Sequence, residues 1–437
     1  MTFIRFPVAL AGCLLLGAAW AGPAIQQWET SNGARVYFVE THAIPMIEVK
    51  VVFDAGSARD TAAESGLAML TSGLLADGAG ELTAEQIAER LEGLGAELGA
   101  SSMRDMAVVQ LRSLSQDRYF EPALAVFAEV LARPAFPQTA LQRERQRALT
   151  AIAQERQSPQ AVAGRAFYEA LYAGHPYALR PGGTEEGVAA IGREDLRLFH
   201  GRYYTAANAV IAMVGDLGAA RAREVAEQLT AGLARGEPAP ALPPVPALDR
   251  GRTVRLPHPS TQAHILIGQP GMERLDADYF PLYVGNYILG GGGFASRLLT
   301  EIREEHGLAY SASSHFTPMR RRGPFVAGLQ TRVDQADRAL QLARETLRAF
   351  VQTGPDAAEL AAAKKHLTGS FPLSLDSNGK IADLVAVIGF YGLPLDYLDT
   401  YIASVESVTL EDIRDAFARR IRPEAMITVI AGPQDAS

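Results

Sequence analysis

Two side chains near position 300 have types and spacing that could serve in a binding or catalytic site. In the stretch SRLLTEIREEHGLAYS, residues 296–311, apolar residues recur at helical spacing after Ser296, a plausible N-cap. Gly307 can end the helix in a left-handed conformation before a strand begins. We therefore expect Arg303 in the last helical turn and Tyr310 at the start of the strand. A guanidinium can donate hydrogen bonds to a carbonyl, and a phenol can hydrogen-bond a peptide backbone or a developing oxyanion.

The same pair also has a purely structural interpretation. Arg303 could be a solvated cation favoured by the helix dipole, and Tyr310 an ordinary strand aromatic. An internal repeat bears on the choice, because an offset of 212 residues places Leu91 and Leu98 of the first half at the matching positions. The repeated scaffold thus tolerates apolar side chains there, which favours a functional role for the polar pair without excluding the structural one.

The repeat itself is visible in two alignments between the halves of the chain. NAVIAMVGDL, residues 208–217, matches residues 424–433 at an offset of 216, and GAELGASS, residues 95–102, matches residues 307–314 at an offset of 212. Two offsets that differ by a short insertion indicate a duplicated domain.

A proline-rich stretch, residues 236–251, separates the halves and cannot hold a helix or a central strand. We interpret it as a linker between domains at residues 22–235 and 252–437, each within the usual domain size. Each half shows strands, two helices, a strand, a pair of long helices and a closing strand. The predicted fold class is α+β, with two homologous domains that each pack helices against an antiparallel sheet.

Two local predictions can be made within the first half. Residues 35–41 and 46–57 are β-rich and joined by a turn at Pro45, which predicts an antiparallel pair. Thr83 and Gln86 form a capping-box pattern at the start of a helix.

The first residues have the layout of a secretory signal. Arg5 is followed by an apolar run and by the small-residue pattern Ala19-Trp20-Ala21, so we predict a signal peptide over residues 1–21 and a periplasmic or secreted protein. LAGC, ending at Cys13, resembles a lipid-anchor signal, but the apolar run continues past it, which disfavours this alternative. No later stretch suggests a membrane span.

Composition excludes several classes of function. Cys13 is the only cysteine and leaves with the signal, so the mature chain would have neither a disulfide nor a thiolate metal site. The chain has 41 basic and 49 acidic residues and no long basic run, which disfavours a nucleic-acid partner.

Three segments together resemble the pitrilysin or insulinase-like zinc peptidases, which include the mitochondrial processing peptidase. They are GSARDTAAESGLA, HPYALRPGGTEEGVAAIGREDLRLFHGRYYTAANAVIAMVGD and GGGGFASRLLTEIREEHGLAYS. The resemblance implies, for active members, a His-x-x-Glu-His motif on the helix after the opening strands and a third ligand about seventy residues further on. It also implies an arginine and a tyrosine in the second half that approach the peptide near the zinc, which are Arg303 and Tyr310 here.

The zinc motif is missing from this chain. Its three positions hold Met69, Ser72 and Gly73, and the segment that should supply the third ligand offers Thr150 or Ala151. We therefore expect no zinc at this place. The only adjacent candidates elsewhere, Glu305 and His306, should point about 100° apart on a helix, so we predict no metal site in this chain.

The leading hypothesis is a non-catalytic subunit of an exported heterodimeric zinc peptidase. A homologous partner with an intact His-x-x-Glu-His motif would supply the zinc, and this chain would supply Arg303 and Tyr310 for a peptide substrate. The alternative is a non-enzymatic scaffold or peptide-binding protein of the same fold.

Three further features are interpreted as structural: His175 as a turn residue, the glycines of residues 290–294 as a place of close backbone approach, and residues 320–322 (RRR) as a solvated loop.

Overall fold

The computed structural model describes residues 22–433 of the chain. The predicted signal peptide, residues 1–21, and the alternative lipid anchor at Cys13 lie outside the described residues. Within the described part, no helix is both long and apolar enough to cross a membrane.

The main strands and helices follow one another in a similar order in the two halves. The strands of the first half are β1 (Gln26–Glu29), β2 (Arg35–Glu40), β3 (Met46–Phe53), β4 (Gly78–Ala79), β5 (Leu82–Thr83), β6 (Glu97–Ser102), β7 (Ala107–Leu114) and β8 (Ala209–Gly215). Its helices are α1 (Leu67–Gly73), α2 (Ala84–Gly93), α3 (Asp117–Ala132), α4 (Gln138–Glu155), α5 (Pro159–Leu171), α6 (Glu185–Ala190), α7 (Arg193–Tyr203) and α8 (Ala219–Thr230). The predicted capping box is present at the start of α2, where Thr83 and Gln86 bond each other's backbone.

The second half repeats the pattern with fewer strands. Its strands are β9 (Arg252–Pro257), β10 (Gln262–Pro270), β11 (Ala309–Phe316), β12 (Pro324–Arg332) and β13 (Ile427–Gly432). Its helices are α9 (Tyr279–Asn286), α10 (Arg297–Leu299), α11 (Ala336–Thr353), α12 (Ala357–Ser370), α13 (Asn378–Tyr391), α14 (Tyr397–Ser407) and α15 (Leu410–Arg420). Two π-helical segments, Tyr287–Gly291 and Thr300–Glu305, continue α9 and α10.

The strand orders of the two sheets support the duplication. The first sheet has the order β1-β2-β8-β3-β7-β6, and the second has the order β9-β13-β10-β12-β11. Apart from the extra strand β1, the two orders correspond strand by strand along the chain. Each of these sheets is mostly antiparallel, with one parallel pair, β2 with β8 and β9 with β13. The predicted α+β fold of two homologous domains is confirmed.

The predicted pairing of the opening strands is wrong. β2 and β3 do not bond each other, because β8 lies between them, parallel to β2 and antiparallel to β3. The Pro45 turn therefore spans the width of an intervening strand. The local sequence pattern identified both strands correctly. The strand that pairs with each of them, β8, comes from the C-terminal part of the first half.

Each half covers one face of the other half's sheet with a helix. α13 of the second half packs on β2, β3 and β8, and α5 of the first half packs on β10 and β13. The contact is close: a Cβ at Gly389 in α13 would lie 2.6 Å from Val210 Cγ1 and 2.7 Å from the ring of Tyr37. On the other side, Phe167 of α5 is buried in a cluster with Val429 of β13. The two halves therefore share hydrophobic cores.

The proline-rich stretch contains no helix or strand, but it is bound along its length. Leu242 and Val245 are buried, and their carbonyl oxygens accept hydrogen bonds from Arg321 Nε at 2.8 Å and Arg322 Nη2 at 2.5 Å. The expectation that residues 320–322 form a solvated loop is wrong, because these arginines replace the backbone partners that an extended segment lacks. The domain boundaries at 235 and 252 stay a prediction.

A buried carboxylate, Asp105, also joins the halves. Its oxygens accept hydrogen bonds from Tyr177 Oη at 2.6 Å, Tyr391 Oη at 3.1 Å and the backbone N of Arg320 at 2.7 Å. Burial and the nearby Asp105 raise the pKa of both tyrosines, so they remain neutral donors. His175 caps the short helical turn that carries Tyr177, which agrees with its interpretation as a turn residue.

We predict that Asp105→Ala lowers the free energy of unfolding by roughly 2 to 4 kcal/mol. The change would leave the buried Tyr177 hydroxyl, the half-buried Tyr391 hydroxyl and one backbone N–H without an acceptor. Urea unfolding followed by circular dichroism measures the effect. Asp376→Ala, which removes an exposed carboxylate paired with Lys380, is the control and should cost less than 1 kcal/mol. Equal stability of the two variants would contradict the role given to Asp105.

Candidate functional site

Helix α1 occupies the place where the family resemblance puts the zinc motif. It begins after Gly66, whose φ of 107° requires a residue without a side chain. The carboxylate of buried Asp60 accepts hydrogen bonds from Gly66 N at 2.8 Å and Ala68 N at 2.9 Å, and so caps the helix from outside. Burial raises the pKa of Asp60 to about 7, although these backbone donors lower it.

The three positions of the missing motif offer no set of metal ligands. Met69 is half-buried, and the hydroxyl of buried Ser72 donates to the Met69 carbonyl at 3.0 Å. Gly73 is exposed, and a Cβ placed there would meet nothing within 4 Å. The opposite side of the helix packs into the core through Leu67, Leu70, Leu74 and Leu75. The helix is thus anchored in the core, as expected, and of the three motif positions only Gly73 is exposed.

The segment expected to supply the third zinc ligand also lacks a suitable side chain. Thr150 on α4 is exposed, and its hydroxyl donates to the Gln146 carbonyl at 2.8 Å. Ala151 has no donor atom. Glu155, one turn further on, forms an ion pair with Arg180. These positions therefore do not fit a zinc ion with α1.

The second half presents the predicted pair on adjacent elements. Arg303 lies in the π-helical segment Thr300–Glu305, and Tyr310 lies three residues after Gly307, whose φ of 62° is left-handed as predicted. Leu308 N donates to the Ile302 carbonyl at 2.8 Å, which closes the end of the helix. The buried side chain of Ile302 fixes this turn against the core.

Tyr310 occupies a β-bulge in an edge strand. In the β11–β12 ladder, Ala309 faces Thr331 and Ser311 faces Gln330, so Tyr310 is the extra residue. β11 lies at the edge of the second sheet. A bulge turns a side chain away from the regular alternation, and Tyr310 and Ser311 consequently both face solvent, with Tyr310 77% exposed.

Arg303 lies between two exposed aromatic rings. Its Cζ is 5.1 Å from the ring centroid of Phe294 and 5.3 Å from that of Tyr310. Phe294 is 71% exposed. Among residues 22–433, the Arg303 guanidinium has no hydrogen bond or ion pair, and neither has the Tyr310 hydroxyl. The three side chains, called here the Phe–Arg–Tyr cluster, leave every polar donor of the group available to a ligand.

Phe294 is a member of the site that the sequence did not predict. It follows the four glycines of residues 290–293, which are packed as expected: a Cβ at Gly290 would lie 2.4 Å from the backbone N of Ser314 on β11. Asn286 and Ser314 exchange two buried hydrogen bonds across the same contact, at 2.7 and 3.1 Å. This docking holds the glycine run on β11 and so presents Phe294 next to Tyr310. An aromatic residue after four glycines, outside any apolar periodicity, was the available signal.

One expectation about metal ligands is also wrong in its geometry. In the π-helical turn the ligand atoms of Glu301, Glu305 and His306 lie within 4.8 Å of one another. Glu301 and His306 are five residues apart and so lie on one side of this turn, and the Glu305 carboxylate reaches the same place although Glu305 and His306 are neighbours. His306 Nδ1 already has a partner, the Glu301 carbonyl at 2.8 Å. The group is solvent-facing, and exposed acidic residues by themselves do not indicate a metal site.

The start of the helix that carries Arg303 is fixed by an ion pair. Arg297 Nε and Nη2 donate to the two carboxylate oxygens of Glu359 on α12, at 2.7 and 2.6 Å. Ser296 occupies the predicted N-cap position, but its hydroxyl donates to the Gly293 carbonyl instead of capping the helix. The bidentate Arg297–Glu359 ion pair therefore orients the start of this helix, which Ser296 does not cap.

A duplicated fold with a helix that lacks metal ligands in one half, and an arginine–tyrosine pair without hydrogen-bonding partners among the described residues in the other, defines a peptidase-like, two-domain class of protein. Residues 35–185 match the family model "Insulinase (Peptidase family M16)", and residues 190–367 match "Peptidase M16 inactive domain". The chain belongs to peptidase family M16, as the resemblance indicated, and it fits a non-catalytic member of that family.

Individual relatives agree with this assignment. A crystal structure of a peptidase M16 inactive domain from Pseudomonas fluorescens is 37% identical, has a TM-score of 0.91, and covers 94% of this chain and 98% of that one. A protein of Helicobacter pylori named "Non-peptidase homolog YmxG" is 27% identical over 87% of each chain. The mitochondrial-processing peptidase subunit beta of Blastocladiella emersonii is 25% identical over 95% of this chain and 90% of its own.

The elevated pKa of Asp60 predicts a pH dependence of stability. The carboxyl of an unfolded chain ionises near pH 4, whereas burial raises the pKa of Asp60 in the folded state to about 7. The contribution of Asp60 is thus complete below pH 4 and is lost as the pH rises through 7. The free energy of unfolding of the natural protein, relative to that of Asp60→Asn, should therefore fall between pH 4 and pH 7. Urea unfolding at intervals of one pH unit measures it, and a constant difference would contradict the prediction.

Proposed function

We propose that this chain is the non-catalytic subunit of an exported two-chain zinc peptidase, in which Arg303 and Tyr310 contact the peptide substrate. The observation that supports this most directly is that the first half lacks the zinc ligands while the second half keeps side chains that could bind a substrate. The metal-binding positions of the first half hold Met69, Ser72 and Gly73, whereas the second half keeps a guanidinium and a phenol that have no hydrogen-bonding partner in the described chain.

The Phe–Arg–Tyr cluster has the chemistry of a site for a peptide backbone. A guanidinium held between two ring faces is restricted in orientation, so less freedom is lost when it binds an acceptor. Its N–H groups can donate to a carbonyl, and the Tyr310 hydroxyl can donate to an oxygen that gains charge during hydrolysis. The exposed rings offer apolar surface to a neighbouring side chain of the peptide.

A partner of the same fold would complete the reaction. It would carry His-x-x-Glu-His and the zinc ion, which activates water for attack on the peptide bond. The matched relative from Blastocladiella is named as a subunit, which supports an assembly of homologous chains. The substrate would be a partly unfolded peptide, held in part by strand addition to a sheet edge in the partner.

Export is the second part of the proposal. The basic residue, apolar run and Ala19-Trp20-Ala21 pattern within residues 1–21 support a cleaved signal peptide and a periplasmic or secreted protein. Mature chain and partner would then meet outside the cytoplasm.

We predict that Arg303→Ala and Tyr310→Phe each lower kcat/KM of the reconstituted two-chain enzyme by about a hundredfold, because each removes a donor that acts on the reacting peptide. An internally quenched peptide that the pair cleaves provides the measurement. The purified chain alone should show no activity with or without added zinc.

The control is Arg338→Ala, which removes an exposed arginine on α11. It should leave kcat/KM unchanged within a factor of two. If Arg303→Ala and Arg338→Ala behave alike while the enzyme is active, the assigned role of Arg303 is wrong.

Phe294 should have a smaller and separable effect. Phe294→Ala removes one of the two rings that orient Arg303, and a cation–π contact at an exposed site contributes about 0.5 to 1 kcal/mol. We expect kcat/KM to fall about two- to fivefold, with Phe294→Tyr close to the natural protein because it keeps the ring. The same quenched-peptide assay applies, and a loss as large as that of Arg303→Ala would show that Phe294 does more than orient the guanidinium.

The alternative, a scaffold or peptide-binding protein without a peptidase partner, is favoured by the name of the Helicobacter relative, "Non-peptidase homolog". Affinity purification from the native cell distinguishes the two. Recovery of a chain with His-x-x-Glu-His supports the subunit, whereas its consistent absence, together with full function of Arg303→Ala cells, supports the scaffold.

A further inference from the structure

The first described residue of the chain lies against the second half of the molecule. Gly22 N donates to Asp399 Oδ1 at 2.5 Å. Ile25, three residues later, packs against a hydrophobic cluster to which both halves contribute. The segment before β1 therefore contacts α14, in whose first turn Asp399 lies.

The contact fits a residue without a side chain. A Cβ at Gly22 would lie 2.8 Å from Asp399 Oδ1 and 3.4 Å from both Asp399 N and the carbonyl carbon of Leu398. Pro23 restricts Gly22 to extended conformations, which limits how the nitrogen can be presented. Among residues 22–433, the Asp399 carboxylate has no other hydrogen-bonding partner.

The position of this contact coincides with the predicted cleavage site. Hydrolysis of the bond between Ala21 and Gly22 adds one water molecule, leaves a carboxylate on the released segment and creates an α-amino group on Gly22. Such a group has a pKa of about 8 in an unperturbed chain and is mostly protonated at neutral pH. An amide nitrogen offers Asp399 one N–H, whereas an ammonium offers three and a positive charge.

We propose that the mature chain begins at Gly22 and that its new ammonium group forms an ion pair with Asp399. The proposal rests on the export proposed above, but not on any peptidase activity. Cleavage would thereby strengthen a contact between the start of the first half and a helix of the second. Asp399 would act as a docking site for the processed amino terminus.

Mass spectrometry of the protein isolated from its native cell tests the first part. The expected result is an amino terminus at Gly22. A lipid-modified terminus at Cys13, or cleavage at any other bond, would overturn the proposal while leaving export intact. An unprocessed terminus at Met1 would overturn both this proposal and the proposed export.

The second part is tested by the reactivity of the amino terminus. In the mature chain, limited acylation at pH 7 should modify the Gly22 amine about two- to fivefold more slowly than in Asp399→Asn, because an exposed ion pair shifts the amine toward its unreactive protonated form by this factor. Acylation of Lys365, an exposed lysine on α12, is the internal reference and should not change.

A chain that begins one residue earlier, at Ala21, is the matched control. Its amine is displaced from Asp399, so Asp399→Asn should leave its acylation rate unchanged. The substitution is small and exposed, and unaltered thermal unfolding midpoints will show that all four chains are folded. Equal rates for the Gly22 amine with and without the Asp399 carboxylate would refute the ion pair.

Discussion

The structure depends on the burial of each sheet by a helix from the opposite half. A sheet that is apolar on both faces must be covered on both. The first sheet is covered on one face by helices of its own half and on the other by α13, and the second sheet takes α5 in the same way. Because about 25 cal/mol is gained per Å² of apolar surface buried, this exchange stabilises the association of the two halves.

The side chains of the candidate site are held in place by elements of this arrangement. The Phe–Arg–Tyr cluster stands on the edge of the second sheet, on a bulge and on a helix held by the Arg297–Glu359 pair. None of its three side chains is itself in the core, but the elements that carry Arg303 and Tyr310 have buried residues, and Phe294 follows a glycine run that packs on β11. Exposed donors that would otherwise be disordered are thereby kept in a defined relation, which is what a binding site needs.

Local patterns predicted local structure well, and non-local contacts less so. The capping box at Thr83, the left-handed turn at Gly307 and the duplication could all be predicted, since each depends on neighbouring residues or on repetition. The insertion of β8 between β2 and β3 could not, because strand order is set by packing across the whole half. The π-helical turn that presents Arg303 had no signature either, since its i to i+5 bonds use the same residue types as an α-helix. Phe294 could not be predicted from its spacing to Arg303 and Tyr310, because its position depends on the packing of the glycine run on β11.

The packing of α5 and α13 on the sheets of the opposite halves determines what would happen if the chain were divided within the proline-rich stretch. A fragment that ends within residues 236–251 would retain α5 but lose α13, and the remaining fragment would be the reverse. Each piece alone would display an apolar sheet face to water and would be prone to aggregate. Supplied together, the pieces should complement one another, so this stretch is a natural point for a split-protein reporter.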